Sequence, residues 1–386
     1  MRVLFTSTSG QGHFQPLVPL IHSFMERGDD VLVVAPEKLV ETLALLDIPY
    51  RVGGQPSEAD SNRVWSLFPT LSRLDASELV EKEWFAGLCL DAMSPTVDHV
   101  ASEWRPDLVV RETCEYAGAL AADRASIPFV QVGVSTAGAE ANVLNEMVRS
   151  QLNARQADVT DRIFRSPYLT KFPPSLDPSP YPTTIRYRDF DDRITQPLPD
   201  WWPRRDGPLI YVTMGTQVTA SDLGVKLLRL ILDTIQGIDA RVLVTTGPST
   251  SPGELGEVAS NVHVESWVDQ SDVMSEVSLV ICHGGSGTSF GALSAGVPLV
   301  FLPVFADQPT NARLIQGAGA GMVIGDGSLS ADKNLLTLTE DASALGRAVR
   351  DLLRDPSYRE SAQRLSREIH AADSPRSLAA RLAGMI

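Results

Sequence analysis

Short runs of consecutive apolar residues alternate along this chain with longer stretches in which apolar positions recur every three or four residues. The first run, Arg2–Thr6 (RVLFT), predicts a buried strand. A polar loop, SGQGH, separates it from a periodic stretch over about 14–27 that Gly28 closes, the pattern of a helix ended by glycine. Residues 30–35 (DVLVVA) predict the next strand. Strand, helix and strand in this order imply a parallel sheet with right-handed crossovers. Further strands are predicted at 108–110 and 129–133. Residues 57–100, with Trp65, Phe68, Trp84 and Phe85, and residues 136–170 read as helical insertions. Insertions after the strands of a parallel sheet are where ligand-contacting elements tend to lie.

Residues 167–208 are rich in proline and predict an irregular connector at a domain boundary. From Leu209 the alternation restarts. LIYVTMG, RVLVTTG, NVHVESWV, SLVICH and PLVFLP predict strands, residues 221–236 a helix, and residues 343–353 and 356–385 a helical tail. The second half is therefore also a wound α/β domain, with no sequence repeat linking it to the first. Two domains also suit the length of 386 residues, since single cores stop growing near roughly 250–300.

Composition narrows the partners. A net charge of −15 argues against nucleic acid or an anionic membrane as main partner. Arg204-Arg205 is too short a basic cluster to reverse that. The three cysteines, Cys89, Cys114 and Cys282, fit no zinc or thioredoxin spacing and read as reduced cytosolic thiols. The opening MRVLFTSTSG is too short in apolar residues for a secretory signal. The apolar run at 297–305 is broken by proline and falls well below the ~20 residues of a membrane span.

The richest candidate chemistry lies in residues 279–308, LVICHGGSGTSFGALSAGVPLVFLPVFADQ. His283-Gly284-Gly285-Ser286-Gly287-Thr288 joins an apolar strand to a helix of small residues. Such a turn lets unpaired backbone amides at a helix start approach an anion, and the Ser286 and Thr288 hydroxyls and His283 can add donors. A tight turn with a core histidine would read the same way. Gly287-Thr288-Ser289-Phe290-Gly291 matches the G-x-S-x-G elbow of serine hydrolases, and Asp307 and His370 follow in triad order. Ser289, however, falls inside the predicted helix rather than on the turn after the strand. Gly10-Gln11-Gly12-His13-Phe14-Gln15 lacks the third glycine of the dinucleotide fingerprint, and Ala35-Pro36 stand where an acidic residue should end the second strand. Asp189-Phe190-Asp191 is formally a D-x-D metal motif, but it lies in the connector and reads as a solvated loop.

His13 follows the first strand at the carboxyl edge of the sheet, where a pKa near ~6.5 suits proton abstraction. Its alternative is a solvent-facing histidine at a helix start. Glu112 follows the strand at 108–110, again at a carboxyl edge, and can orient such a base, with Glu115 as a rival. In the second half, Trp267 can stack on a flat base or fill a core, and Thr216 can bond phosphate. Asp307 and Gln308 can bind vicinal hydroxyls or form an ordinary polar loop.

Together these residues resemble the inverting nucleotide-sugar glycosyltransferases of GT-B architecture, nearest the bacterial branch that decorates enediynes, polyketides, macrolides and glycopeptides. The segments GQGHFQPLVPL, PDLVVRE, VTMGT, Trp267-Val268-Asp269-Gln270, HGGSGT and PVFADQ carry the resemblance, in family order, over nearly the whole chain. It implies two Rossmann-like α/β domains whose parallel sheets face across a deep cleft. Residues 1–200 would bind the acceptor, 201–369 the donor, and a helix at about 370–386 would pack back on the first domain. It implies His13 as base with Glu112 as partner, where many relatives have aspartate. Donor contacts would fall to Thr216, Trp267, Val268, His283, Gly285, Ser286, Gly287, Thr288, Asp307 and Gln308. Acceptor contacts would fall to Gln11, Phe14, Trp65, Phe68, Trp84 and Phe85. No metal or cofactor is implied beyond the nucleotide-sugar co-substrate. The other partner is a hydrophobic aglycone, and the oligomeric state, a homodimer included, stays open. In relatives that use UDP-sugars, a glutamate commonly stands eight residues after the loop histidine to hold the ribose hydroxyls; here that position is Gly291. A dTDP-deoxysugar is therefore favoured over a UDP-sugar. A sugar-nucleotide epimerase and a non-catalytic helper protein are the other classes compatible with the architecture.

Overall fold

Two fully parallel sheets organise the chain. The computed structural model describes all residues except 190–195, 203–205, 216–218, 220–221, 305–306 and 326–334. The first sheet contains β1 (Arg2–Thr6), β2 (Asp30–Pro36), β3 (Tyr50–Gly53), β4 (Leu108–Glu112), β5 (Phe129–Val132), β6 (Tyr168–Thr170) and β7 (Thr184–Arg186). Their order is β3-β2-β1-β4-β5-β6-β7. The second sheet contains β8 (Leu209–Thr213), β9 (Arg241–Thr245), β10 (Val262–Glu265), β11 (Leu279–Cys282), β12 (Leu299–Phe301) and β13 (Gly321–Val323), in the order β10-β9-β8-β11-β12-β13.

The apolar runs form strands because both faces of each sheet are covered. On β1, Val3 and Phe5 enter one core with Val33, Val110 and Val132. Leu4, pointing the other way, enters a second core with Val34 and Val109. In the other sheet, Ile210, Val212, Val242, Leu279 and Ile281 pack with Leu227, Leu228 and Ile231 of the Asp222–Ile235 helix.

The proline-rich stretch after 167 is not simply a connector. β6 and β7 arise within it and extend the first sheet, with Tyr168, Leu169 and Thr170 in register with Thr184, Ile185 and Arg186. Contacts divide the chain into one unit of Met1–Asp191 with Ala372–Ile386 and another of Asp192–Ala371. The sequence of crossings therefore falls near 191, ahead of the expected 200, and again near 371. The Pro375–Ala383 helix places Leu378, Ala379 and Leu382 in the core that holds Leu20, Ile21 and Phe24 of the Val18–Glu26 helix. Leu378→Ala is expected to destabilise the first unit by about 2–5 kcal/mol, the usual cost of emptying a core leucine site, read by urea unfolding. No helix among the described residues is long and apolar enough to cross a membrane.

Candidate active site

β1 and β4 are parallel neighbours, with Thr6 opposite Arg111. The loops that leave their carboxyl ends therefore start side by side. One runs through Thr8 into the short Gln11–Phe14 helix that carries His13; the other begins at Glu112. The Glu112 carboxylate is fully buried. Its Oε1 accepts from the Thr8 N–H at 3.1 Å and the Thr8 hydroxyl at 2.8 Å. Its Oε2 accepts from the Cys114 N–H at 2.7 Å and faces His13 Nδ1 at 3.2 Å. Four donors thus meet the four lone-pair sites of an ionised carboxylate. Burial works to raise the Glu112 pKa, but His13 and these hydrogen bonds outweigh it and hold it below the usual value. A carboxylate with no proton to give requires Nδ1 to carry the ring proton, which leaves Nε2 as an acceptor. On His13 burial acts downward, and Glu112, by charge and hydrogen bond, with Glu81 and Glu140, outweighs it and raises the pKa above 6.5.

The surroundings fix this pair. Arg111 is fully buried; it donates to the Glu115 carbonyl at 2.5 Å, to the Thr113 carbonyl, and to Gln131 Oε1 at 3.2 Å, which locks the turn after β4. The Phe85 ring lies 5.1 Å from the imidazole, tilted by 48°. A Cβ on Gly10 would come within 2.8 Å of His13 Cδ2, so the loop needs glycine there to admit the ring. Glu115, the rival partner, is engaged elsewhere. It accepts from the Thr6 hydroxyl at 2.5 Å and from the Ala117 and Gly118 amides at 2.8 Å each, and so holds the start of the Ala117–Arg124 helix.

Two further carboxyls adjoin the pair. Glu140 accepts from the Thr113 hydroxyl and the Val134 and Ser135 amides, and burial pushes its pKa up to about 7. Burial likewise raises Glu81 to about 7, with His13 opposing and Glu112 adding to the rise. A carboxyl whose folded pKa lies above its unfolded value contributes stability at low pH that is lost as pH rises through about 7. Glu81→Gln is therefore expected to raise the melting temperature at pH 8 and to change it little at pH 5, as measured by thermal unfolding at the two pH values.

His13, Glu112 and Cys114 each bring one ligand-type atom within 4.8 Å of the others. Burial holds the Cys114 thiol well above its ordinary pKa, so it stays protonated. Both Glu112 oxygens are already occupied by hydrogen bonds. With the thiol protonated and the carboxylate oxygens taken, this donor set fits a metal poorly.

The expected acceptor residues separate in the structure. Phe85 lies on His13. Trp65 and Phe68 are exposed, with ring centroids 5.6 Å apart. Phe14 is wholly buried beside Leu17 and Leu39, so it is core and does not line a binding surface. Trp84 packs into a small cluster with Val64 and Cys89, edge-on to Trp65, and is also a packing residue. Gln11 donates to Thr42 Oγ1 at 2.8 Å.

In the second unit, His283 follows the end of β11. Gly284 turns the chain with φ of 92°, and Gly285 precedes the Ser286–Ser294 helix. Among the described residues no side chain caps that helix start, so its first amides are left for a ligand or water. Gly215 and Gly285 flank the His283 ring; a Cβ would approach it to 2.6 Å at the first and 2.5 Å at the second. Burial lowers the His283 pKa to about 4, against the pull of Asp307, so the ring is neutral at pH 7. Its Nδ1 is buried without a hydrogen-bond partner among the described residues.

Asp307 reaches the glycine turn. Its Oδ2 accepts from Ser286 Oγ at 2.9 Å and from Asn311 Nδ2 at 2.7 Å. Asn311 also donates to the Gly284 carbonyl at 3.1 Å. Gln308 is buried and accepts from the Val304 amide at 2.9 Å. Thr288 Oγ1 accepts from Gln270 at 3.2 Å. Trp267 is 66% exposed, which removes its reading as a core residue, and Val268 beside it is half-buried. Asp269 accepts from the Ser271 amide at 3.0 Å and caps the Gln270–Met274 helix. Thr216 lies outside the described residues, as do Phe190, Asp191, Arg204 and Arg205.

The serine-hydrolase lookalike dissolves. Ser289 is fully buried within its helix, and His370 sits against the Ser294 carbonyl at 3.1 Å. Asp189 pairs with Lys171 at 2.9 Å. Sequence reading missed Thr8, Arg111, Glu81, Glu140 and Asn311. Only Asn311 carried a local signal, standing four residues after Asp307 on one helical face.

Comparison with known proteins places this geometry. Residues 74–215 match the N-terminal domain, and residues 229–385 the C-terminal domain, of the erythromycin biosynthesis protein CIII-like family. The elloramycin glycosyltransferase ElmGT of Streptomyces olivaceus is 28% identical, over 99% of this chain and 97% of the relative. The crystal structure of the glycosyltransferase SnogD from Streptomyces nogalater is 25% identical and superposes with a TM-score of 0.74, covering 100% of this chain and 99% of that one. The Streptomyces sp. SF2575 glycosyltransferase SsfS6, complexed with thymidine diphosphate, is 24% identical with a TM-score of 0.72 over 100% of both chains. The chain belongs to the GT-B glycosyltransferases of bacterial natural-product biosynthesis, through the paired domains of the erythromycin biosynthesis protein CIII-like family.

Proposed function

We propose that this enzyme transfers a deoxysugar from a dTDP-sugar to a hydroxyl of a hydrophobic aglycone, with inversion and without a metal. The observation that carries the reading is the His13–Glu112 pair, a solvent-reaching imidazole whose Nδ1 is committed to a buried carboxylate. Nε2 takes the proton of the acceptor hydroxyl as that oxygen attacks the anomeric carbon. The bond to the diphosphate breaks on the opposite side, and a single displacement inverts the centre. The leaving diphosphate gains negative charge, and the uncapped start of the Ser286–Ser294 helix supplies amides and dipole to receive it. His283, neutral at pH 7, serves as a hydrogen-bond donor there rather than as a cation. The reduced thiols Cys89, Cys114 and Cys282 fit a cytoplasmic enzyme.

The thymidine reading rests on Gly291 and is supported by the thymidine diphosphate bound to SsfS6. A Cβ at Gly291 would meet only Gln270 Oε1, at 3.9 Å, so a larger side chain has room. Gly291→Glu is expected to shift the ratio of UDP to dTDP affinity toward UDP by roughly tenfold, because a carboxylate accepts well from a ribose diol that thymidine lacks. Isothermal titration with both nucleotides reads that ratio. Tighter binding of UDP than dTDP by the wild-type protein would overturn the donor assignment. The activity itself is tested in reverse, with dTDP or UDP and a library of glycosylated natural products; release of a nucleotide sugar from none of them counts against the reading.

A further inference from the structure

Glu81 is a half-buried carboxyl beside the proton-transfer pair that the pair does not use. It lies in the Leu79–Cys89 segment, an 11-residue π-helix. Wide i→i+5 turns are rare and collect at functional sites. In that register residues four apart share nearly one face, which sets Glu81 beside Phe85, the residue whose ring lies on His13. Its electrostatic neighbours are His13 and Glu112, and its charge is also felt at Cys114 and Tyr116. Of the other carboxylates nearby, Glu78 pairs with Lys82 and Glu83 with Arg63, while Glu140, whose Oε2 also lacks a partner among the described residues, is itself buried and has its Oε1 bound to Thr113, Val134 and Ser135. Glu81 Oε2 is closed off from solvent and has no hydrogen-bond partner among the described residues. The residue as a whole is only half-buried, and its terminal torsion is soft, so rotation brings either oxygen outward.

We propose that Glu81 reads a second hydrogen-bond donor on the acceptor, placed next to the hydroxyl that His13 deprotonates. The acceptor class is then a vicinal diol, a catechol-type aromatic, or an amino alcohol, in preference to an isolated hydroxyl. The inference rests on the glycosyltransferase reading for the identity of the reacting hydroxyl. The carboxyl takes the second donor and fixes the first against Nε2. An acceptor without that donor leaves the carboxyl as unpartnered as it stands now, and polar groups left unpaired are what make such sites selective.

The test uses three probes of one scaffold on the full chain: 1,2-dihydroxyanthraquinone, 2-hydroxyanthraquinone, and 2-hydroxyanthraquinone carrying an aminomethyl group at position 1. Affinity is read by tryptophan fluorescence quenching, and transfer by product formation from dTDP-glucose and UDP-glucose. The wild-type protein is expected to bind a probe with the second donor about ten- to a hundredfold more tightly than the monohydroxy compound. Glu81→Leu should bring that ratio close to one. Glu81→Gln, which keeps an acceptor but no charge, should retain preference for the second hydroxyl and lose it for the protonated amine. A wild-type ratio near one, or an undiminished ratio in Glu81→Leu, overturns the inference. A preference in binding without transfer from dTDP-glucose or UDP-glucose supports the role of Glu81 and counts against glucose as the transferred sugar. Transfer without any preference sinks the inference alone.

Discussion

His13→Ala is expected to lower kcat by a factor of about 10²–10⁴, the usual contribution of a positioned general base. KM for the nucleotide sugar should change little, because the groups assigned to the donor lie in the other unit of the chain. The His13 Nδ1 is 3.2 Å from Glu112, so Nε2 is the nitrogen left to accept a proton. Removing the ring removes the acceptor and leaves Glu112 buried with an unmatched charge. A stability measurement must therefore accompany the kinetics, and a folded variant with unimpaired kcat would exclude His13 as the base.

Glu112→Gln is expected to reduce kcat/KM by about 10²–10³ and to move its acid limb. In the wild-type enzyme the base form of His13 is lost as pH falls through a pKa raised above 6.5. Activity should therefore decline on the acid side beginning above that value. In the variant the Glu112 charge is gone and burial, which acts downward, dominates. The His13 pKa drops, and the acid limb shifts to lower pH while the plateau falls. A glutamine also cannot accept from Thr8, Cys114 and His13 together, so part of the loss comes from misplacement of the ring. The pH profile separates the two effects, since misplacement alone lowers the plateau without moving the limb by the lost charge. An unmoved limb would mean that another group titrates.

The architecture was legible where burial leaves a plain mark. RVLFT, DVLVVA and RVLVT are continuous apolar runs because their strands are covered on both faces, and they form β1, β2 and β9. The edges were less legible. β3, β6, β7 and β13 have three or four residues each and carry Arg51, Thr170, Thr184 with Arg186, and Gly321 in turn, so no run announces them. Prolines around β6 and β7 then read as a linker, although proline is tolerated beside short strands near a sheet edge. At the site, His13 and Glu112 were legible because both follow strands that a βαβ opening makes neighbours. Phe14 and Trp84 misled for a physical reason: proximity to a motif says nothing of which way a side chain points on a helix. Glu81 and Arg111 gave no signal, since their meaning comes from partners, or a lack of them, remote in sequence.

The return of residues 372–386 to the first unit has a consequence for synthesis. The face formed by Leu20, Ile21 and Phe24 is completed by Leu378, Ala379 and Leu382, and the whole of Asp192–Ala371 is translated in between. At about 5–20 residues per second, those residues occupy the ribosome for on the order of ten to forty seconds. During that interval the nascent first unit must carry an uncovered apolar seam, and by its end the second unit has every strand it needs. The half that is made first is therefore the half that finishes folding last.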